Sequence, residues 1–126
     1  MSPAETVRQK PLHWVGPAKK DLLQFPESVV DDFGYALGLV QQGGIPPTCK
    51  PWKGEGPGVF ELIGNFRGDA YRVAYTVRFE KAIYVLHCYQ KKSPSGIRTA
   101  RTDTRLIRER LRVAQADYEV RYAQKT

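Results

Sequence analysis

The spacing of apolar positions first indicates one strand and two helices. Residues 12–15 form a short apolar run that predicts an edge strand. Pro17 and Pro26 stand where proline favours the start of a helix, so two successive helices are predicted. The second helix has an apolar face in which Val29, Phe33, Leu37 and Val40 recur at helical spacing, with Val30 and Ala36 alongside. The glycine pair at 43–44 ends this helix.

The apolar period then changes to two, which is typical of strands. Residues 60–66 and 71–79 alternate between apolar and polar positions, and Arg67-Gly68-Asp69 forms a turn between them. Residues 82–90 predict a third strand that is apolar on both faces and therefore central in the sheet. The Gly- and Pro-rich residues 44–58 are predicted to be a loop. Its Trp52 fits a cover over the core edge better than a platform for a nucleic-acid base.

The last third of the chain predicts one more helix. Residues 91–101 indicate a basic loop, and the helix is expected to begin near Thr102. Its apolar stripe consists of Leu106 or Ile107, followed by Leu111, Ala114 and Tyr118. The order of strand, two helices, three strands and helix predicts an α+β fold, with helices packed on an antiparallel sheet. We expect one domain over residues 1–126, with residues 1–10 as a flexible tail.

The distribution of charge points to a class of partner. The chain carries 20 Lys and Arg against 13 Asp and Glu, a formal net charge of +7. Residues 1–80 hold nine of each sign, whereas residues 81–126 hold eleven basic and four acidic residues. A one-sided basic region is typical of polyanion binders, although a solubilising surface would have the same composition.

Several classes of site are disfavoured by the residues present. Cys49 and Cys88 stand far apart without a Cys/His cluster, which argues against zinc and favours reduced thiols in a cytoplasmic protein. We find neither a membrane-spanning apolar run nor a signal-peptide stretch at the N-terminus. Hydrolase, zinc-protease and phosphate-loop motifs are missing, and carboxylates are scarce in the basic third. Any nuclease activity is therefore expected to need neither metal nor cofactor.

A metal-free ribonuclease needs a base for the ribose 2′-hydroxyl, cations for the transition state and an acid for the leaving oxygen. Strand alternation predicts that one face of the third strand of the meander carries Ile83, Val85, His87, Tyr89 and Lys91. It places Leu86, Cys88, Gln90 and Lys92 on the other face. Arg72 faces away from Tyr71, Val73 and Tyr75. His87, Tyr89 and Lys91 could therefore line one surface with Arg72.

Each candidate also has a purely structural explanation. An outward strand arginine such as Arg72 is usually solvated, and a histidine in an apolar strand such as His87 is usually a hydrogen-bonded core residue. Lys91 and Lys92 also fit a charged strand end, and Tyr89 a core position. A stronger signal comes from four arginines that share one face of the last helix, namely Arg101, Arg105, Arg108 and Arg112.

Three motifs in this order resemble the phage Gp49-like group of HigB toxins, which belongs to the RelE/ParE superfamily. They read FEL at residues 60–62, YRVAY at 71–75 and VLHCYQKKS at 85–93. A fourth motif, TARTD at 99–103, stands where the group has T-P-x-x-E, with Ala100 and Asp103 in place of Pro and Glu. The similarity covers about residues 12–114.

The resemblance implies a RelE-like fold, with a twisted antiparallel sheet, two N-terminal helices and a C-terminal helix. It implies an endoribonuclease that cuts mRNA in the ribosomal A site and a cognate antitoxin, usually a helix-turn-helix, HigA-like protein. By position, Arg72 is expected to bind the scissile phosphate. Lys91 and Lys92 are expected to stabilise charge or transfer protons. His87 and Tyr89 match motif positions without a defined role.

Further contacts to phosphate are also implied. Arg67 is a candidate for one more phosphate contact, and the four helix arginines would suit ribosomal RNA. Two other functions stay open on the same fold. One is a non-enzymatic poison of DNA gyrase, as in ParE-type relatives, and the other is a phage accessory protein that binds nucleic acid or protein. The basic end of the last strand favours the ribonuclease over the gyrase poison.

Overall fold

A computed structural model describes residues 9–91 and 96–123. Lys92 and the first eight residues of the predicted tail lie outside this part of the chain. The two predicted N-terminal helices are present as α1 (Ala18–Leu22) and α2 (Glu27–Gln41). Pro26 directly precedes α2, and the predicted apolar face of α2 is buried except at Val30, which is half-buried. This part of the sequence-based prediction is confirmed.

Five strands form one twisted sheet in the order β1-β5-β4-β3-β2. They are β1 (Leu12–Trp14), β2 (Cys49–Pro51), β3 (Val59–Phe66), β4 (Asp69–Thr76) and β5 (Ile83–Lys91). β3, β4 and β5 form the predicted antiparallel meander. β1 is the predicted edge strand, but it runs parallel to β5, so the sheet is mixed and not wholly antiparallel.

β2 lies inside residues 44–58, which the sequence predicted to be a loop. It has only three residues and pairs with β3, with Cys49 opposite Leu62 and Pro51 opposite Phe60. Proline cannot donate to a strand ladder and is tolerated at an edge, where β2 lies. The strand exists through pairing with distant residues and not through its own propensity, which is why periodicity missed it.

The predicted turn between β3 and β4 is a two-residue hairpin. Phe66 pairs with Asp69, and the intervening Arg67 and Gly68 both have positive φ, at 52° and 84°. Two consecutive left-handed residues match the right-handed twist of paired strands, and glycine adopts this conformation without strain. The turn therefore fixes the register of β3 against β4.

Apolar side chains on the two faces of the sheet form two separate cores. The first packs α1 and α2 against one face and includes Phe33, Leu37, Val73 and Tyr75. The second lies on the opposite face beneath the C-terminal helix and includes Val59, Ala74 and Leu86, with the half-buried Trp52 at its edge. The sheet is thus covered by helices on both faces, and β5 is buried on both sides as predicted.

A β-bulge in β5 changes which side chains share a face. Ala74 pairs with His87, whereas the next residue, Tyr75, pairs with Val85, so Leu86 is the extra residue. Val85 packs in the first core and Leu86 in the second. Strict alternation along β5 was therefore wrong for Ile83 and Val85, which face away from His87. It holds for His87, Tyr89 and Lys91.

The C-terminal helix α3 (Gly96–Arg121) begins about six residues before the position expected from sequence. No proline follows Pro94, and Ala100 and Arg101 are good helix formers, so nothing in the predicted loop stops the helix. Its buried stripe is Ile107, Leu111 and Ala114. Ile107 is 1% exposed, so Ile107 and not Leu106 is the first residue of the buried stripe.

The last two turns of α3 close the far end of the second core. Tyr118 stacks on Phe79 with ring centroids 4.7 Å apart. Asp117 accepts a hydrogen bond from the Tyr84 hydroxyl at 2.5 Å and pairs with Arg121 at 3.0 Å. The Tyr122 hydroxyl and the His13 ring lie 2.8 Å apart. The C-terminal members of these contacts, residues 117–122, lie beyond the region of sequence resemblance. They attach α3 to β1 and β5.

The buried stripe of α3 predicts a difference between two neighbouring truncations. Ile107→Ala removes a fully buried side chain and is expected to lower the free energy of unfolding by about 2–5 kcal/mol. Leu106→Ala, on a half-buried neighbour, is expected to cost less. Urea denaturation of both variants measures the difference. Equal losses would contradict the helix register described here.

The contact between His13 and α3 predicts a pH dependence of stability. Burial, followed by the charge of Arg121, lowers the pKa of His13 below its usual 6.5, and Asp117 partly opposes this. Because the folded pKa is depressed, the contribution of His13 is complete above about pH 6.5 and is lost as pH falls toward the folded pKa. Denaturation between pH 7.5 and 5 should show a smaller loss in His13→Gln than in the wild type. An unchanged pH profile would contradict the assignment.

Candidate active site

The register of the meander brings four polar side chains onto the sheet face beneath α3. Arg72 of β4 pairs with Tyr89 of β5, and paired residues share a face. In the adjacent row, Glu61 of β3 pairs with Ala74, and Ala74 pairs with His87. The methyl side chain of Ala74 leaves room above it, so the larger groups converge. We call Glu61, Arg72, His87 and Tyr89 the sheet cluster.

Glu61 is the centre of the sheet cluster. One of its oxygens binds Arg72 Nη1 at 3.1 Å, and the other accepts a hydrogen bond from the Tyr89 hydroxyl at 2.5 Å. The side chains of Arg72 and Glu61 are 12% and 6% exposed. A carboxylate this deeply buried needs compensation, which the guanidinium and the hydroxyl provide. Glu61 thereby fixes both predicted site residues in place.

Tyr89 is held as a neutral hydroxyl. Burial, reinforced by its hydrogen bond to Glu61, raises the pKa of Tyr89 far above the ordinary value of 10. Its ring stacks on His87, with centroids 4.8 Å apart and planes inclined by 15°. The hydroxyl is therefore a proton donor in a fixed position and not a phenolate.

His87 connects the sheet cluster to α3 through both ring nitrogens. Nε2 lies 2.8 Å from the Asp103 carboxylate, and Nδ1 lies 3.0 Å from Arg110 Nη1. An arginine can only donate, so Nδ1 accepts, and the proton of the neutral ring resides on Nε2 and is donated to Asp103. Arg110 also donates to the Leu86 carbonyl at 3.2 Å, which ties the bulge to the helix.

Of the two predicted lysines, one is described. Lys91 ends β5 opposite Ala70 and is exposed. It follows Tyr89 by two residues and so lies on the same face of β5, about 7 Å further along the strand. Within residues 9–91 and 96–123 it has no ion-pair partner. Lys91 is therefore an uncompensated positive charge beside the sheet cluster.

The predicted phosphate-binding arginines lie apart from the sheet cluster. Arg67 is exposed in the β3–β4 turn, with its guanidinium 5.1 Å above the Phe66 ring. The α3 arginines Arg101, Arg105, Arg108 and Arg112 are all exposed and share one face, as predicted. Arg105 pairs with Glu109 at 3.5 Å, and Arg108 with Glu55 at 3.2 Å. At Arg108 this arginine face borders the β2–β3 connection, apart from the sheet cluster.

Three residues of the site were not among the sequence-based candidates. Glu61 belongs to the first matching motif, but its role depends on the pairing of β3 with β4. Asp103 stands at the acidic position of the fourth motif, which could have suggested a fixed partner. Arg110 matches one of the spaced arginines that follow the fourth motif in the resembling group, but the match does not indicate a contact with His87. Within the described residues, no group of three or more His, Cys, Asp or Glu is arranged to hold a metal.

Comparison with known proteins identifies the family. The sequence model of the family "Phage derived protein Gp49-like (DUF891)" matches residues 20–112. The chain belongs to the Gp49-like family. The sequence-based prediction that the chain belongs to the Gp49-like group is thereby confirmed. All four residues of the sheet cluster, together with Lys91, Asp103 and Arg110, lie inside the matched segment.

Similarity to individual known proteins is weaker than the match to the family. No curated protein matches the Gp49-like chain. Among solved structures, a chain of the toxin–antitoxin complex RelBE2 from Mycobacterium tuberculosis is similar at 23% identity and a TM-score of 0.45. The similarity covers 64% of the present chain and 96% of the other. In the described part of the chain, no helix has the length and apolar character needed to cross a membrane.

The buried ion pair predicts a large cost for removing one partner. Glu61→Gln leaves the Arg72 charge without compensation and is expected to lower the free energy of unfolding by about 3–5 kcal/mol. Glu80→Gln, on an exposed glutamate, is a matched control and should change it by about 0.5 kcal/mol or less. Chemical denaturation measures both. The double variant Glu61→Gln/Arg72→Gln should lose less than the two single losses combined, and simple additivity would contradict a coupled pair.

Proposed function

We propose that this Gp49-like protein is the toxin of a type II toxin–antitoxin system and a metal-independent, ribosome-dependent mRNA endoribonuclease. The observation that carries the proposal is the sheet cluster with the exposed Lys91 two residues beyond Tyr89 on the same strand. In one place it offers a carboxylate, a neutral hydroxyl and cationic groups, which are the group types that RNA cleavage without metal requires.

The geometry distributes the proposed roles. The ribose 2′-oxygen attacks the adjacent phosphorus, the bond to the 5′-oxygen breaks, and the 2′ proton passes to a base while the leaving oxygen gains one. Lys91 supplies charge to the phosphate without having to leave an ion pair. Arg72 already compensates Glu61, so it contacts phosphate as part of that pair. Tyr89 donates its single hydroxyl proton to Glu61 and so orients that carboxylate.

The contacts of His87 favour a positioning role over that of general base. Both of its ring nitrogens are occupied, and the residue is 6% exposed. A base must reach the proton that it removes. Glu61 is equally buried and both of its oxygens are also occupied, so the same argument gives it a positioning role. We propose that the exposed Lys91 takes part in proton transfer, with His87 holding the Tyr89 ring in place. Lys92, outside the described residues, stays a candidate for charge stabilisation from its sequence position.

The partners follow from the same proposal. The substrate is mRNA on the ribosome, and ribosomal RNA is the counterpart of the arginine face. An acidic or helix-turn-helix antitoxin of the HigA type would neutralise the toxin, and a cytoplasmic location would be required for both.

Inducible expression with mapping of mRNA 5′ ends tests the proposal. Wild type is expected to arrest growth and to produce cuts in phase with codons. Lys91→Gln removes one charge at the reacting phosphate and should reduce cleavage about 10²–10³-fold. Lys81→Gln, an exposed lysine in the β4–β5 turn, is the charge-matched control and should cleave like wild type. Thermal unfolding confirms that both variants are folded.

Other outcomes separate the alternative functions. Growth arrest without mRNA cuts would contradict the ribonuclease and favour the gyrase poison. No arrest with soluble protein present would favour a binding accessory protein. Equal cleavage by Lys91→Gln and wild type would contradict the proposed site while leaving the activity intact.

A further inference from the structure

A second basic site lies between α3 and the β2–β3 connection. It is a surface groove of about 200 Å³ lined by Glu55, Arg78, Arg108, Leu111, Arg112 and Gln115. Three guanidinium groups thus face one carboxylate, which leaves a net charge of +2. Arg78, which follows β4, was not singled out by its sequence position.

Arg78 is held rigidly without losing its charge. Its Nη2 donates to the Glu55 carbonyl at 2.8 Å and to the Pro57 carbonyl at 3.0 Å. Carbonyls orient a guanidinium but do not neutralise it, and Arg78 has no ion pair among the described residues. The loop approaches so closely because Gly58 has φ +89°, and a Cβ there would lie 3.2 Å from the Arg78 Cβ. A preoriented cation loses little entropy on binding an anion.

The two helix arginines of the groove differ in how far they are compensated. Arg108 binds the Glu55 carboxylate at 3.2 Å and the Gly54 carbonyl at 3.2 Å. Arg112 is exposed and makes one long contact, 3.5 Å to the Arg108 carbonyl within the helix. Glu55 therefore neutralises Arg108, whereas Arg78 and Arg112 keep their charges available to a ligand.

We propose that this groove binds a phosphate group of an RNA backbone, at a position separate from the sheet cluster. Arg110, which contacts His87, and Arg112 stand two residues apart, about 200° around the helix. Arg101 and Arg105 extend the basic surface from the groove along about 16 Å of α3, roughly five stacked nucleotides. Arginines spaced along the helix suit a regularly charged strand better than an isolated acidic side chain, although Arg105 and Arg108 each have a carboxylate partner. That the polyanion is RNA rests on the proposed function. That the groove is cationic rests only on the contacts of its own residues.

Binding of a single-stranded, 2′-O-methylated RNA oligonucleotide tests this site without requiring cleavage. Because the blocked 2′-oxygen prevents strand scission, an inactive enzyme gives the same result as an active one. The double variant Arg78→Gln/Arg112→Gln should weaken binding roughly tenfold or more. It should also lower the slope of log affinity against log salt by about 1.4, or 0.7 for each contact. Glu55→Gln should strengthen binding.

A substitution that removes a charge far from the groove serves as the control. Lys20→Gln removes one exposed charge from α1, on the opposite side of the sheet, and should leave affinity and slope unchanged. Wild-type affinity and slope in the double variant would overturn the proposal. So would an acidic peptide that binds the groove more tightly than RNA, or inorganic phosphate that binds there by ³¹P NMR while RNA does not. If Arg78→Gln melts early, Arg112→Gln alone decides, with an expected slope change of about 0.7.

Discussion

The candidate site depends on a buried carboxylate in the middle of the sheet. Glu61 joins Arg72 and Tyr89, and each of these would be unfavourable at its depth without the others. A buried charge is tolerated only where it is paired and hydrogen-bonded. The burial of each of the three side chains therefore depends on the other two. Their placement in turn requires the register of β3 against β4, which the Arg67-Gly68 turn fixes.

The second constraint is the bulge at Leu86. It moves Val85 to one core and both Leu86 and His87 toward the other, so that the end of β5 presents His87, Tyr89 and Lys91 to the side of α3. Arg110 holds the bulge from the helix by binding the Leu86 carbonyl, and Asp103 holds the imidazole. Asp103 and Arg110 of α3 therefore organise the site, while Tyr118 and the contact of Tyr122 with His13 anchor the end of the helix. Two regions of charge result, the sheet cluster beneath α3 and the groove between α3 and the β2–β3 connection.

Much of this architecture could be predicted because local patterns determine it. The helical period of α2, the alternation of β4 and the apolar β5 specify these elements with few alternatives. The bulge could not be predicted, since alternation assumes uninterrupted pairing and an extra residue leaves no mark in the apolar pattern. β2 and the role of Glu61 were missed because they depend on partners distant in sequence. The family motifs supplied Arg72, His87, Tyr89 and Lys91, but only the fold shows that His87 is fully engaged and Lys91 is free of ion pairs within the described chain.

The most direct measurement is cleavage by the purified protein of an mRNA bound to programmed ribosomes, compared with the same mRNA free in solution. The protein is first treated with a chelator and then dialysed, so that no tightly bound metal is carried into the reaction. A ribosome-dependent, metal-independent ribonuclease is expected to cut at the A-site codon on the ribosome and to cleave free mRNA little or not at all. Intact mRNA on the ribosome, or equal cleavage of the free transcript, would contradict it.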